Sequence, residues 1–210
     1  MGTITALRSN DAKKQVNVFI DGLFSFTIAD ELAVTNRLEV GGHLSADQIE
    51  QLKEANLFKG CFDAALHYLS YRPRSENEVK QRLRRRGFDN KVIEEVIFAL
   101  KERRLIDDVA FSEYWRNNRL SFSPRSGRLI KLELRQKGVA AGTADEVVKD
   151  VDDENCVYEA GLRKAGRLSN SDYDDFRRRL FGYLRRRGFN YETVNFAVAR
   201  LWQEKQGGSL

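Results

Sequence analysis

One six-residue signal occurs three times in this chain. Leu83-Arg84-Arg85-Arg86-Gly87-Phe88 returns as Leu134-Arg135-Gln136-Lys137-Gly138-Val139 and again as Leu184-Arg185-Arg186-Arg187-Gly188-Phe189, at spacings of 51 and 50 residues. Pro73-Arg74-Ser75 likewise matches Pro124-Arg125-Ser126. A fixed period near 50 residues marks a repeated supersecondary unit. In each copy a basic last turn precedes a glycine, the residue that most easily adopts the left-handed conformation ending a helix. The period therefore predicts a tandem array of like units.

Each unit reads as three helices. In the first, Lys59–Leu69 is helix one, and Ser75 with Glu78 forms a capping box for helix two, which turns Val79 and Leu83 to one side. Asp89 caps helix three, whose Val92, Ile93, Val96, Ile97, Ala99 and Leu100 give a broad apolar face. The third unit repeats this with Asn190 as cap and Val194, Ala197, Val198 and Leu201 inside. The middle unit is the loosest copy, because Gly142 and Thr143 blur the start of its last helix.

The first quarter of the chain differs. Thr3–Leu7, Gln15–Ile20 and Leu23–Ile28 are β-rich, and Asp21-Gly22 is a two-residue hairpin signal. A small β-meander is expected, followed by helices over Asp30–Asn36 and Ser45–Asn56, with a Ser45/Gln48 capping box in the second. The expected organisation is a mostly α fold: an N-terminal β-meander with helices at 1–56, three-helix repeats at 57–106, 107–151 and 152–205, and a disordered tail at 206–210.

Composition narrows the classes of function. The net charge of +5 divides into −3 over residues 1–55 and +8 over the rest. A basic body suits a polyanionic or acidic partner. The N-terminus lacks a signal-peptide pattern, Ala6 stands where myristoylation wants Ser or Thr, and no apolar run reaches membrane-spanning length. Cys61 and Cys156 are widely separated and fit a reduced, cytoplasmic chain. His43 and His67 have no partner at metal-ligand spacing, so no metal is expected. Phosphate-cradling and dinucleotide glycine patterns are absent, which leaves no cofactor and no catalytic constellation. Asp107-Asp108 and Asp152-Asp153 precede helical patterns, where acidic residues cap and complement the positive end of the helix.

The candidate binding residues are basic. They are Arg82, Arg84, Arg85 and Arg86; Arg135 and Lys137; Arg177, Arg178 and Arg179; and Arg185, Arg186 and Arg187, together with Arg72, Arg74 and Arg125 in and beside the two Pro-Arg-Ser loops. One such run is ordinarily a solvated helical face. Recurrence at one position in stacked units would bring them into a stripe suited to phosphates or an acidic protein groove. Tyr68, Tyr71, Tyr114 and Trp115 lie near the unit starts, where packing is the ordinary role of aromatics and base stacking the alternative. Phe88 and Phe189, just after their glycines, are expected to pack.

Tyr68-Leu69-Ser70-Tyr71-Arg72-Pro73-Arg74-Ser75-Glu76-Asn77-Glu78-Val79, with Leu83 and Gly87-Phe88, resembles the signature of the RecX regulatory proteins. Leu105-Ile106-Asp107-Asp108-Val109-Ala110-Phe111 resembles the opening of that family's second unit. The resemblance covers roughly residues 57–205. It implies a curved array of three-helix units that binds the RecA nucleoprotein filament, inhibits its ATPase and strand exchange, favours loss of RecA from DNA, and itself contacts single- and double-stranded DNA. A monomer with no membrane association and no catalysis is expected. The alternative is a helical repeat protein whose main target is DNA. Two departures stand out: the third unit has Ser169-Asn170-Ser171-Asp172 in place of Pro-Arg-Ser, and no role transfers to the N-terminal extension.

Overall fold

A computed structural model describes residues 1–168 and 172–207. Ser169, Asn170 and Ser171 of the divergent third-unit loop, and the last three residues of the expected tail, lie outside the described residues. The chain forms two compact units, Met1–Tyr71 with Lys80–Leu100, and Arg72–Val79 with the described residues from Lys101 onward.

The first unit begins with strands β1 (Gly2–Asn10), β2 (Gln15–Ile20) and β3 (Leu23–Ala29), an antiparallel meander. Its β2–β3 turn is the expected one, with Asp21 and Gly22 at φ 50° and 84°. Two left-handed residues in a row give the turn a twist that matches its strands. Helix α1 (Asp30–Thr35) follows, and a two-residue strand β4 (His43–Leu44) then pairs with β1, giving the order β3-β2-β1-β4. Ile4, Val18, Phe26, Ile28, Ala33, Leu44 and Leu52 form the core beneath the sheet.

Helix α2 runs without interruption from Ala46 to Leu69 and merges the two helices expected at Ser45–Asn56 and Lys59–Leu69. Its Ser45/Gln48 capping box is present in both directions. The merger has a local cause. Nothing between Asn56 and Lys59 stops a helix, and Asn56 serves β3, accepting from Ala29 N at 2.9 Å and donating to Thr27 O at 3.1 Å. Helices α3 (Glu76–Arg85) and α4 (Asn90–Glu102) follow, with Leu83, Val92, Ile93, Val96, Ile97 and Leu100 buried.

The second unit holds two further three-helix sets. Helices α5 (Asp108–Phe122), α6 (Gly127–Gln136) and α7 (Ala141–Val148) enclose Phe111, Ile130, Leu134, Val139, Ala144 and Val147. At α7 Ala140 gives no side-chain cap, and Gly142 and Thr143 lie in the first turn of the helix. Helices α8 (Asp153–Ala165), α9 (Tyr173–Arg186) and α10 (Tyr191–Gln206) enclose a core built on Phe176, Leu180, Leu184, Phe189, Val198 and Leu201. Asn190 caps α10 as expected, accepting from Thr193 N at 2.8 Å.

Candidate interaction site at the basic turns

The hexapeptide is the signature of one helix ending. Gly87, Gly138 and Gly188 have φ of 87°, 85° and 89°. The next residue's N–H closes back on the leucine carbonyl, Phe88 to Leu83 at 3.4 Å and Val139 to Leu134 at 3.1 Å, while each glycine N–H bonds the residue three before it at 3.0 Å. This doubly bonded left-handed stop carries an apolar contact between its first and last residues, which explains the leucine and the Phe or Val at the hexapeptide's ends. The arginine after the leucine can clamp the turn: Arg135 donates to Val139 O at 3.2 Å and Arg185 to Phe189 O at 2.8 Å. In the first copy Arg84 instead donates to Asn90 Oδ1 at 2.9 Å.

In the second and third copies the turn is one half of a joint. Lys137 O accepts the Ser75 hydroxyl at 2.7 Å, and Lys137 Nζ reaches Glu78 at 2.8 Å. Ser75 also completes the expected capping box, accepting from Glu78 N at 3.2 Å while Glu78 accepts from Ser75 N at 3.3 Å. Fifty residues on, Arg187 O accepts from Ser126 N at 3.1 Å, and Arg187 donates to Ser123 Oγ at 2.8 Å and Pro124 O at 3.0 Å. Both glycines are pressed against the preceding loop. A Cβ on Gly138 would stand 2.5 Å from Asn77 Cβ, and one on Gly188 would stand 2.5 Å from Ser126 Oγ.

The paired aspartates supply a second tie. Asp107 caps α5 through Val109 N at 2.7 Å, and Asp152 caps α8 through Glu154 N at 3.0 Å, as expected. The second member of each pair reaches elsewhere. Asp108 accepts from Glu76 N and Asp153 from Gly127 N, both at 2.8 Å. These N–H groups open α3 and α6, so each carboxylate satisfies an orphan donor at the positive end of the preceding set's second helix. Burial pushes both carboxyls above their ordinary range against the lowering effect of those N–H bonds.

A cationic cluster surrounds the first of these joints. Glu133 accepts from Trp115 Nε1 at 2.7 Å and Arg119 Nε at 2.8 Å, and pairs with Arg125. Lys137 Nζ lies 4.1 Å and the Arg119 guanidinium 4.2 Å from the Trp115 ring centre. Arg72 pairs with Glu78 at 2.9 Å. Burial works against the Glu78 carboxylate, but Arg72 and Lys137 outweigh it and bring the carboxyl down to about 2. Burial first, then neighbouring cations, lowers Arg119 and Arg125.

The candidate residues therefore divide. Arg72, Arg125, Lys137 and Arg187 are half-buried in contacts within the fold; Arg74 is half-buried and engaged; Arg82 lies 5.6 Å from the Tyr68 ring. Arg178 and Arg179 pair with Asp175 on their own helix, and Arg177 sits 6.0 Å from the Phe181 ring. Arg84, Arg85, Arg86, Arg135, Arg185 and Arg186 are exposed. Sequence reasoning overlooked Glu133 and Arg119, and it read the second aspartates as caps of their own helices rather than as ties to the preceding set. Among the described residues no group of three metal-ligating side chains comes together, and no helix is long and apolar enough to cross a membrane. Burial pushes both thiols up to about 11, with nearby carboxylates adding to it at Cys156, so neither is poised as a nucleophile.

Three family profiles match in chain order: "RecX, first three-helix domain" over residues 61–98, the second over 107–148 and the third over 152–198. The Regulatory protein RecX of Lactobacillus johnsonii is 31% identical over 208 residues, covering 96% of this chain and 75% of that protein. That of Chlorobium limicola is 34% identical over 139 residues, covering 66% of this chain and 87% of that protein. The crystal structure of RecX from Lactobacillus salivarius superposes with a TM-score of 0.58 at 26% identity, over 70% of this chain and 97% of that one. A further crystal structure of a regulatory protein RecX covers 94% of this chain and 98% of its own, with a TM-score of 0.68; at 21% identity it speaks to the fold alone.

Proposed function

The chain belongs to the RecX family, and on that premise we propose that it is a non-catalytic, monomeric, cytoplasmic negative modulator of RecA. In this reading it binds the RecA–DNA filament, lowers ATPase and strand-exchange activity, and so regulates recombination and repair. The observation that carries the reading is family membership, with the exposed arginine turn Arg84–Arg86 supplying a surface of the right charge. Such a surface speeds encounter with a polyanionic assembly and fixes orientation. Arg185 and Arg186, also exposed, are the second candidate contact. Lys137 and Arg187 support binding indirectly, by tying successive three-helix sets together, while Arg72 and Arg125 fix Glu78 and Glu133 within their own sets.

The test is a titration of RecA ATPase and strand exchange with the full chain. Inhibition at concentrations too low to coat the DNA is expected. Unchanged activity at equimolar protein sinks the reading. The exposed arginines favour one second reading, in which DNA is the main target. It predicts binding to bare DNA that falls steeply with salt and is abolished by charge reversal at Arg84–Arg86 and Arg185–Arg187.

A further inference from the structure

Each of the two joints has a giving half and a receiving half. The giving half is a left-handed glycine preceded by a basic residue; the receiving half is the serine-bearing start of a second helix. Lys137-Gly138 fits against Ser75, Asn77 and Glu78, and Arg187-Gly188 against Ser123, Pro124 and Ser126. Glycine is required in both because no side chain fits between the turn and the loop it touches.

Arg86-Gly87 is the same giving half with nothing on it. A Cβ built on Gly87 meets no atom within 4 Å, and Arg84, Arg85 and Arg86 are all exposed. Helix α2 also carries no aspartate pair at the corresponding place. Leu57, 51 residues before Asp108, lies within the helix and is 45% exposed. We infer that the Arg84–Phe88 turn is an open half-joint that docks the serine- or threonine-capped, acid-bearing start of a helix on a partner protein. The partner's chemistry is read from the first closed joint, which holds a hydroxyl on the turn carbonyl and a carboxylate three residues on for the basic side chain; in the second joint the Ser126 N–H takes the turn carbonyl instead. Three exposed arginines at the negative end of α3 favour that carboxylate at long range. The inference rests on the proposed function for the identity of the partner, the RecA filament, but not for its mechanism.

The experiment uses the full chain in three arms. Gly87→Asn keeps a residue tolerant of the left-handed conformation while filling the open face; Arg86→Glu reverses the charge. Each is expected to weaken binding to RecA–DNA filaments at least tenfold with the thermal midpoint nearly unchanged. A photo-crosslinking residue in place of Arg86 is expected to attach to the first turn of a RecA helix bearing a hydroxyl cap and a carboxylate. Wild-type binding by both variants, or attachment to DNA or to other protein segments, overturns the inference while leaving the proposed function intact. Should the unmodified chain bind no filament, the proposed function fails and the third arm decides alone. There an acetylated peptide of residues 71–83 is added in trans. Amide shifts confined to Arg84–Phe88 and lost with a Ser75→Ala, Glu78→Ala peptide support the half-joint; no shift at millimolar peptide ends it.

Discussion

Leu83–Phe88 and Leu184–Phe189 are the same six residues in opposite surroundings. The first copy ends a helix in the open, with Gly87 facing nothing and Phe88 only half-buried; in the last, Gly188 is pressed on Ser126 and Phe189 is 1% exposed. The hexapeptide specifies how a helix stops, and the backbone obeys it equally in both places. What the turn then does depends on whether a serine-bearing loop lies before it in the array. A motif in a repeat protein is thus a local instruction whose energetic meaning is set by its neighbours.

Substitutions can break this comparison or sharpen it. The largest contrast is expected between Gly188→Ala and Gly87→Ala. Left-handed strain costs about 1–2 kcal/mol for either. At Gly188 the added methyl also clashes with Ser126 and Leu129, and overpacking adds roughly 1–3 kcal/mol. Denaturant midpoints measure the difference, and equal losses at the two sites would contradict it. Next is Glu133→Ala, which removes the carboxylate shared by Arg119, Arg125 and Trp115. Leaving two half-buried cations without it is expected to cost about 2–3 kcal/mol. Glu146→Ala, which removes the partner of the exposed Lys149, costs at most about 0.5 kcal/mol by the same measurement.

A smaller contrast separates Arg187→Ala from Arg86→Ala. The first loses hydrogen bonds to Ser123 and Pro124 and a cation–π contact at 4.5 Å from the Tyr183 ring, worth about 1–2 kcal/mol together. The second falls within about 0.5 kcal/mol, as a surface change should. The last effect is with pH. The Glu78 carboxyl lies at about 2 in the fold against an ordinary 4.5, because Arg72 and Lys137 outweigh the opposing effect of burial. Its contribution is therefore fully present above the ordinary value and fades as pH falls toward the folded one. Glu78→Gln is expected to flatten that part of the acid unfolding curve, and an unchanged curve would remove Glu78 from the joint.

Much of the architecture was legible in the residues. The period, the helix stops, the Ser45, Ser75, Asp107, Asp152 and Asn190 caps and the Asp21-Gly22 hairpin all rest on local chemistry acting within a few positions. The unbroken α2 was not legible, because Asn56 reads as a stop when its partners on β3 are unseen. Strand β4 was missed because two residues carry no period. The candidate site was only half legible. Sequence identifies every arginine but not the distant partner that turns Arg187 inward and leaves Arg86 outside. Long-range partners such as Ser75 with Lys137, 62 residues apart, follow from stacking and leave no local trace.

The central claim, that identical turns are open in one unit and closed in another, is tested most directly without any mutation. The native chain is exposed to a guanidinium-directed dicarbonyl reagent, and modification at Arg86 and Arg187 is followed by peptide mass spectrometry. Arg86 should react at the rate of a free arginine, with Arg187 protected manyfold until the fold is denatured. Equal rates at the two positions would contradict the account.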